Sequence, residues 1–487
     1  MNRSVRPPRY TCPRTGCRRV RRFRSPVTSF QEGRKGMNAK TLAAGAAALA
    51  TIVSSASAAP KNVILMVGDG WGYNTIQATN FWTGAAAQSY QKFPVQFAMS
   101  TYSASGHGYD PARAWVNGKY NTDYLKTGAT DSASAITAML TGVKNYDGIL
   151  NISVDGQPLT TFAQMYKWAG RAAGSISTVQ WSHATPAGAY AHNRRDSYAE
   201  IAIEGINSSL DVIFGAGNPD FNNDGQPAAM NPRYVGGAEA WNKLKNNEYP
   251  GLKHIQTRSE FLGLINGNPT GRYIGTIQSY TTANQARSGY SPTDVPGSDP
   301  LNGALPSLAE MSLAALNVLD NNPNGLFLLI EGGAIDWANH ANQMARAIEE
   351  SMDFNRAVDA VINWVEANSS WDETLLIVTS DHECGMLTGP GKSVDLVNNG
   401  VGVLPGFEYH SGSHTNTLVP LFAKGAGSEL FAQYATGIDP VRGAYIDNTD
   451  IFRVMTGATG VVPEPASVVA LATGLIGFAG LFARRSR

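Results

Sequence analysis

Thr130-Asp131-Ser132-Ala133-Ser134-Ala135 heads a run of small residues that Thr141-Gly142 closes. Polar residues at the start and glycine after the end predict a helix. A serine at that start meets unpaired backbone N–H groups and the positive end of the helix dipole. The place suits a phosphate, and it suits a serine alkoxide if metal ions lower its pKa. The same residue types make plain N-caps, so the segment alone leaves both readings open. Elsewhere, Asp336 and His340 stand four apart, a spacing that puts both on one helix face and suits two ligands of one metal. Asp381-His382 supplies an adjacent pair, His414 another imidazole, and Asp69, Glu331 and Thr185 oxygen donors. Histidine with carboxylate suits zinc, and all-oxygen positions suit magnesium. His410 is expected to be exposed and outside the site. Residues 220–225 (DFNNDG) resemble the start of a calcium loop, but the twelfth position is Asn231 rather than a bidentate acid. A polar turn therefore competes there with structural calcium.

The carboxylates follow apolar runs. Residues 62–67 lead into Gly68-Asp69-Gly70, residues 326–330 into Glu331-Gly332-Gly333, and residues 374–379 towards Asp381-His382. Short runs of branched residues predict buried parallel strands, and open α/β sheets bind ligands at the C-terminal strand edge. Residues 211–214 and 419–422 are further short strands. Leu308, Met311, Ala315 and Leu319 keep helical spacing after Pro306, a good first-turn residue. Ile348, Met352, Val358, Val361 and Val365 do the same, and both stripes are expected to face a core. No Pro/Ser-rich linker or fixed repeat interrupts residues 59–460, which predicts one α/β domain with insertions.

The ends differ from this body. Residues 1–36 carry eleven Lys/Arg and one acid without apolar periodicity. They read as a basic leader upstream of a true start at Met37, with a nucleic-acid arm as the competing reading. Residues 37–58 have the basic end, apolar stretch and small-x-small site of a secretory signal peptide. Residues 461–487 form a tail in which Val462-Pro463-Glu464-Pro465 precedes an apolar run (466–483) and three arginines. The run is long enough for a transmembrane helix. The tail also resembles the PEP-CTERM sorting signal of Gram-negative bacteria, which implies an exosortase-type processing enzyme. It further implies transient residence in the inner membrane and export to the periplasm, outer envelope or extracellular matrix.

The chain has 487 residues and equal numbers of basic and acidic groups, 38 each. Twelve Lys/Arg and one acid fall within 1–58 and three Arg within 466–487, which leaves 23 basic and 37 acidic residues, a charge near −14. Such a body does not favour nucleic acid as a standing partner. Cys12 and Cys17 lie in the leader, so Cys384 alone cannot staple the fold.

Gly68-Asp69-Gly70, Thr130-Asp131-Ser132-Ala133, His183-Ala184-Thr185-Pro186, Arg195, Glu331-Gly332 with Asp336 and His340, Asp381-His382 and His414-Thr415 resemble alkaline phosphatases, in the same order. Any one motif is weak, but the ordered set is specific and spans residues 61–457. The resemblance implies a large, mostly parallel central sheet with helices on both faces and the metal site at the C-terminal strand ends. It implies hydrolysis of phosphate monoesters with two Zn²⁺, about 4 Å apart, and one Mg²⁺. Ser132 is implied as the metal-activated nucleophile that forms a phosphoserine. Asp336, His340 and His414 are implied as ligands of one zinc, and Asp69, Asp381 and His382 as ligands of the other. Asp69 would also bridge to magnesium held by Thr185 and Glu331. Asp131 and Arg195 are implied as substrate-binding, with Arg195 clamping two phosphate oxygens and Arg194 a competing neighbour. His183 stands where some bacterial members hold a third-metal aspartate, as a ligand or as the holder of a metal-bound water. Trp337 stands where relatives often carry lysine or histidine, which implies altered phosphate release. The family is often dimeric, so a homodimer is implied without any interface signature in this chain.

Three other functions compete. A sulfatase would want a modification motif at the nucleophile, which residues 130–133 lack. A phosphodiesterase of the same superfamily would replace the role of Arg195 with a pocket for a second ester group. A non-catalytic metal- or polysaccharide-binding matrix protein fits the tail, but not an intact set of ligands, nucleophile and arginine.

Overall fold

The period-two alternation of a strand decides how this chain is layered. Residues 59–462 are described by a computed structural model. The leader, the signal segment and the sorting tail beyond Val462 lie outside the described residues. The central sheet has eleven strands: β1 (Asn62–Gly68), β2 (Val95–Ser100), β3 (Ala172–Gln180), β4 (Val212–Ala216), β5 (Leu252–Ile255), β6 (Arg272–Thr276), β7 (Leu326–Gly332), β8 (Thr374–Thr379), β9 (Val419–Gly425), β10 (Gly437–Asp439) and β11 (Gly443–Asp447). Their order is β10-β11-β2-β9-β8-β1-β7-β3-β4-β6-β5. The run from β8 to β5 is parallel throughout. The strand expected at 419–422 extends to Gly425 as β9, which lies antiparallel to both β8 and β2.

Helices cover both faces, among them α1 (Ser132–Thr141), α2 (Phe162–Trp168), α3 (Leu308–Leu319), α4 (Ala334–His340), α5 (Met344–Asn368) and α6 (Thr449–Thr459). Val63, Leu65 and Val67 of β1 join one core with Ile136 of α1, Phe162 of α2 and Val454 of α6. Ile64 and Met66 point the other way, into a core with Met311 and Leu319 of α3 and Phe354, Val358 and Val361 of α5. Successive strand side chains point to opposite faces, so a strand apolar at every position must be covered on both. Each fully buried aliphatic side chain contributes about 1.5–3 kcal/mol to that layering.

Helix starts follow their caps. α3 opens with a reciprocal capping box between Ser307 and Glu310. Pro306 therefore precedes the cap instead of taking the first helical position. α1 ends at Gly142, whose φ of 72° is easy only for glycine. Residues 220–225 form a turn. Asn222 Oδ1 accepts from the backbone N–H of Asp224 and Gln226, while Asp220 bonds Lys245 and Trp241. Asp224 Oδ1 accepts from the Ser288 N–H, so the two acids turn towards separate partners in the expected polar turn. Among the described residues, no helix is long and apolar enough to cross a membrane.

Candidate active site

The parallel register assembles the site. Val67 pairs with Thr379 on one side and Glu331 on the other, so Asp69, Glu331 and Asp381 reach one edge of the sheet. Glu331 is the penultimate residue of β7 instead of the first residue beyond the strand, as its sequence pattern suggests. Gly70 accepts the close approach of α4, and its N–H donates to Asp381 Oδ1 at 3.1 Å. The expected i,i+4 pair is formed on α4, with His340 Nε2 3.3 Å from Asp336 Oδ2.

Ser132 is the first residue of α1, and Asp131 is its N-cap, accepting from the Ser134 N–H at 2.9 Å. The cap reading thus belongs to Asp131 and leaves the Ser132 hydroxyl free for chemistry. Ser132 Oγ lies 3.2 Å from His382 Nε2. Asp131 Oδ2 accepts from Gly148 N and from Arg195 Nη1, both at 2.9 Å. Burial pushes the Asp131 carboxyl up, but the Arg195 charge and the Ser134 hydrogen bonds outweigh it and hold the carboxyl below its ordinary range. Arg195 also places Nη2 3.4 Å from His183 Nε2, whereas Arg194 is exposed.

The imidazoles converge. His340 Nδ1 donates to the Gly412 carbonyl at 2.7 Å, and His414 Nδ1 donates to the Thr130 carbonyl at 2.9 Å. A carbonyl can only accept, so in the neutral rings both Nε2 atoms carry lone pairs. Those atoms face each other at 3.0 Å, an arrangement that calls for a cation between them. His382 stacks on His414 with ring centroids 3.5 Å apart, and its Nε2 lies 3.1 Å from Asp381 Oδ2 and 3.6 Å from Asp69 Oδ1.

Three donor groups result, each with one ligand atom per residue and all such atoms within 4.8 Å of one another. They are Asp336, His340, Cys384 and His414; Asp69, Asp336 and His382; and Asp69, His183 and Glu331. Both oxygens of Asp69, Thr185 Oγ1, Glu331 Oε1, Asp336 Oδ1, Asp381 Oδ2 and His183 Nδ1 are buried without a hydrogen-bond partner. Glu331 Oε2 is taken by the Ser177 hydroxyl. Buried unpaired carboxylate oxygens are expensive, so this donor set fits divalent metal ions.

The electrostatics agree. Burial, then the neighbouring acids Asp381, Asp336 and Glu331, push the Asp69 carboxyl well up. Burial and Asp336 do the same to Asp381, and burial carries Glu331 to about 7. Burial, then the Arg195 charge, lowers His183 to about 3, which keeps its ring neutral. Burial opposes ionisation of Asp336, but with no cation bound a proton on His340 Nε2 takes the cation's place: against burial the pair raises His340 to about 9, and its hydrogen bond with the charge of the neighbouring imidazoles holds the Asp336 carboxyl well below its ordinary range.

An open cleft of about 750 Å³ leads to these groups, lined by Asp131, Arg195, His183, Trp337, His340 and His414. Trp337 stands edge-on to His183 with ring centroids 5.9 Å apart, an aromatic wall where a cation was expected in relatives. His410 departs from expectation. It is half-buried, with Nε2 2.8 Å from Thr388 Oγ1, because the Glu408–Tyr409 strand pairs with Leu387–Thr388. It still lies outside the donor groups. Cys384, to which the sequence assigned no place in the site, falls in the first donor group. It follows His382 by two positions, and that proximity was the available signal.

The Alkaline phosphatase family profile matches residues 60–401. Over 351 residues the chain is 29% identical to alkaline phosphatase H of Pseudomonas aeruginosa (strain UCBPP-PA14), covering 66% of this chain and 69% of that one. It is 26% identical over 486 residues to the alkaline phosphatase of Escherichia coli (strain K12), covering 91% and 96% of the two chains. The solved alkaline phosphatase of the Antarctic bacterium TAB5 superposes with a TM-score of 0.60 at 24% identity, covering 83% of this chain and 99% of that one, a likeness of fold.

Proposed function

The chain belongs to the alkaline phosphatase family and is a metal-dependent phosphatase, and from that premise we propose that it is an exported phosphomonoesterase working through a phosphoserine on Ser132. The observation that carries the proposal is the place of Ser132 Oγ. It stands at the head of α1, 3.2 Å from His382 Nε2, beside both the donor groups and the Asp131–Arg195 pair.

Two zinc ions and one magnesium suit the donors. Asp336, His340 and His414 would hold the first zinc, and Asp69, Asp381 and His382 the second, with Ser132 beside it. Asp69, Thr185 and Glu331 would hold magnesium, with His183 facing it through a water. A variant of the TAB5 phosphatase is described with Mg bound in its M3 site. Bound ions would supply positive charge that lowers the Ser132 pKa and neutralises phosphate oxygens.

The remaining work falls to the chain itself. Ser132 Oγ forms a bond to phosphorus while the ester P–O bond breaks, and the alcohol leaves with a proton. Water then cleaves the Oγ–P bond and restores Ser132. Arg195, held through Nη1 by Asp131, offers its other N–H groups to the equatorial oxygens. The free N–H groups at the start of α1 face the same charge.

The test is hydrolysis of p-nitrophenyl phosphate from neutral to alkaline pH, with Zn²⁺ plus Mg²⁺ or with EDTA. Chelator-sensitive turnover is expected, reduced at least ~10³-fold in Ser132→Ala. A folded, zinc-loaded protein without turnover overturns the proposal. Faster hydrolysis of the bis-p-nitrophenyl ester would instead assign a phosphodiesterase. Export rests on the sequence of the two ends. Mass spectrometry of the protein released from a Gram-negative host is expected to show the loss of residues 1–58 and a cut near Pro463-Glu464-Pro465.

A further inference from the structure

Cys384 is fully buried and is the free cysteine of the described residues. A two-residue antiparallel pairing sets it directly opposite His414, with Glu383 opposite Thr415. The pairing is pinned. Glu383 accepts from the Leu387 N–H at 3.0 Å and from the Thr415 hydroxyl, and the Cys384 N–H donates to the Gly70 carbonyl at 3.3 Å. Cys384 Sγ and one ligand atom each from Asp336, His340 and His414 all lie within 4.8 Å of one another. A second observation points into the same space. Asp336, only 4% exposed, leaves Oδ1 without a hydrogen-bond partner there, 3.5 Å from His414 Nε2.

We propose that Cys384 is a fourth protein ligand of the metal held by Asp336, His340 and His414. The inference rests on the metal-dependent reading above and goes beyond it. Zinc donors at about 2.0–2.3 Å lie about 3.3–3.8 Å apart in a tetrahedral set, which the observed cluster accommodates, and a substrate oxygen would join the four as a fifth ligand. On binding, the Sγ–H bond breaks, the proton passes to solvent and sulfur donates its electron pair to the metal. A sulfur donor selects zinc or cobalt over magnesium at this position. It also distinguishes this position from the other two groups, whose donors are nitrogen and oxygen only.

The full-length protein carrying Cys12→Ser and Cys17→Ser, which leaves Cys384 as its one thiol and serves as the parent below, is stripped with chelator and titrated anaerobically with Co²⁺ to test the assignment. That parent is expected to show a sulfur-to-cobalt charge-transfer band in the near ultraviolet. Cys384→Ser should lose that band, keep the visible bands of bound cobalt and release zinc to EDTA at least ~10-fold faster. Zinc-edge X-ray absorption of the same parent, with Cys384 intact, is expected to show a sulfur scatterer at about 2.3 Å. Bound cobalt or zinc without a sulfur signal overturns the proposal, as does a band that survives in Cys384→Ser. Failure to take up cobalt or zinc at all overturns the metal reading of the whole site, and this proposal with it.

Discussion

Asp131 and Arg195 behave as one unit. Asp131 caps α1 with one carboxylate oxygen and anchors Arg195 with the other. Arg195→Lys keeps the charge but loses the planar fork. A charge-assisted hydrogen bond contributes about 1.5–3 kcal/mol, so kcat/KM for a phosphate monoester should fall ~10–100-fold with little change in Tm. An unchanged kcat/KM would remove Arg195 from substrate binding. Asp131→Ala should cost ~1 kcal/mol of stability through the lost cap alone, read as a lower urea midpoint. At this scale residue types were legible, because serine, aspartate and glycine punctuate a helix locally. Which of Asp131 and Ser132 takes the cap was not legible, because backbone dihedrals decide it. Nor was the choice of Arg195 over Arg194, since adjacent residues differ only in the direction the folded loop gives them.

At the scale of elements, the turn after β1 matters most. Gly70 has a φ of +66°, and a Cβ there would meet Asp336 Oδ1 at 2.6 Å and Asp336 Cα at 2.7 Å. Gly70→Ala should therefore cost at least ~1–2 kcal/mol from the left-handed backbone, and the clash adds displacement of Asp336. The expected outcome is a lower Tm together with a lower zinc-to-protein ratio after dialysis; a variant normal in both would contradict the contact. The long apolar runs and helical stripes announced β1, β7, β8, α3 and α5 correctly. The two-residue pairing that brings Cys384 to His414 is too short to carry any periodicity. The antiparallel direction of β9 was equally hidden, because an apolar run does not record the direction of its neighbour.

Across the whole molecule, buried acids couple stability to metal and to pH. The crowded Asp69, Glu331, Asp336 and Asp381 need cations, so chelation should lower Tm and added Zn²⁺ should restore it, with the shift growing with free metal concentration. A Tm indifferent to EDTA and zinc would speak against metal at these groups. Glu350 of α5 lies apart from the donor groups. Burial, with Asp353 adding, pushes its carboxyl from 4.5 to about 8. A carboxyl raised in the folded state contributes stability below its unfolded pKa and loses it as pH rises through the folded one. Glu350→Gln removes that titration. It should raise Tm above pH 8 relative to the parent, while below pH 4.5 the two should melt alike; the opposite pH trend would show that Glu350 is ionised in the fold.

The family, the α/β class and most of the donor residues were determined by sequence alone. Strand runs, helix caps and the carboxylate or histidine placed just after each run are local features, and their order along the chain is specific. Only the tertiary structure decided how the donors meet. Ser132 reaches His382 across 250 residues, and His414 reaches Thr130 across 284. Such distances close through the sheet order β8-β1-β7-β3 and its parallel register, which are set by long-range pairing. The same pairing brings Cys384 beside the imidazoles and turns Arg195 into the cleft.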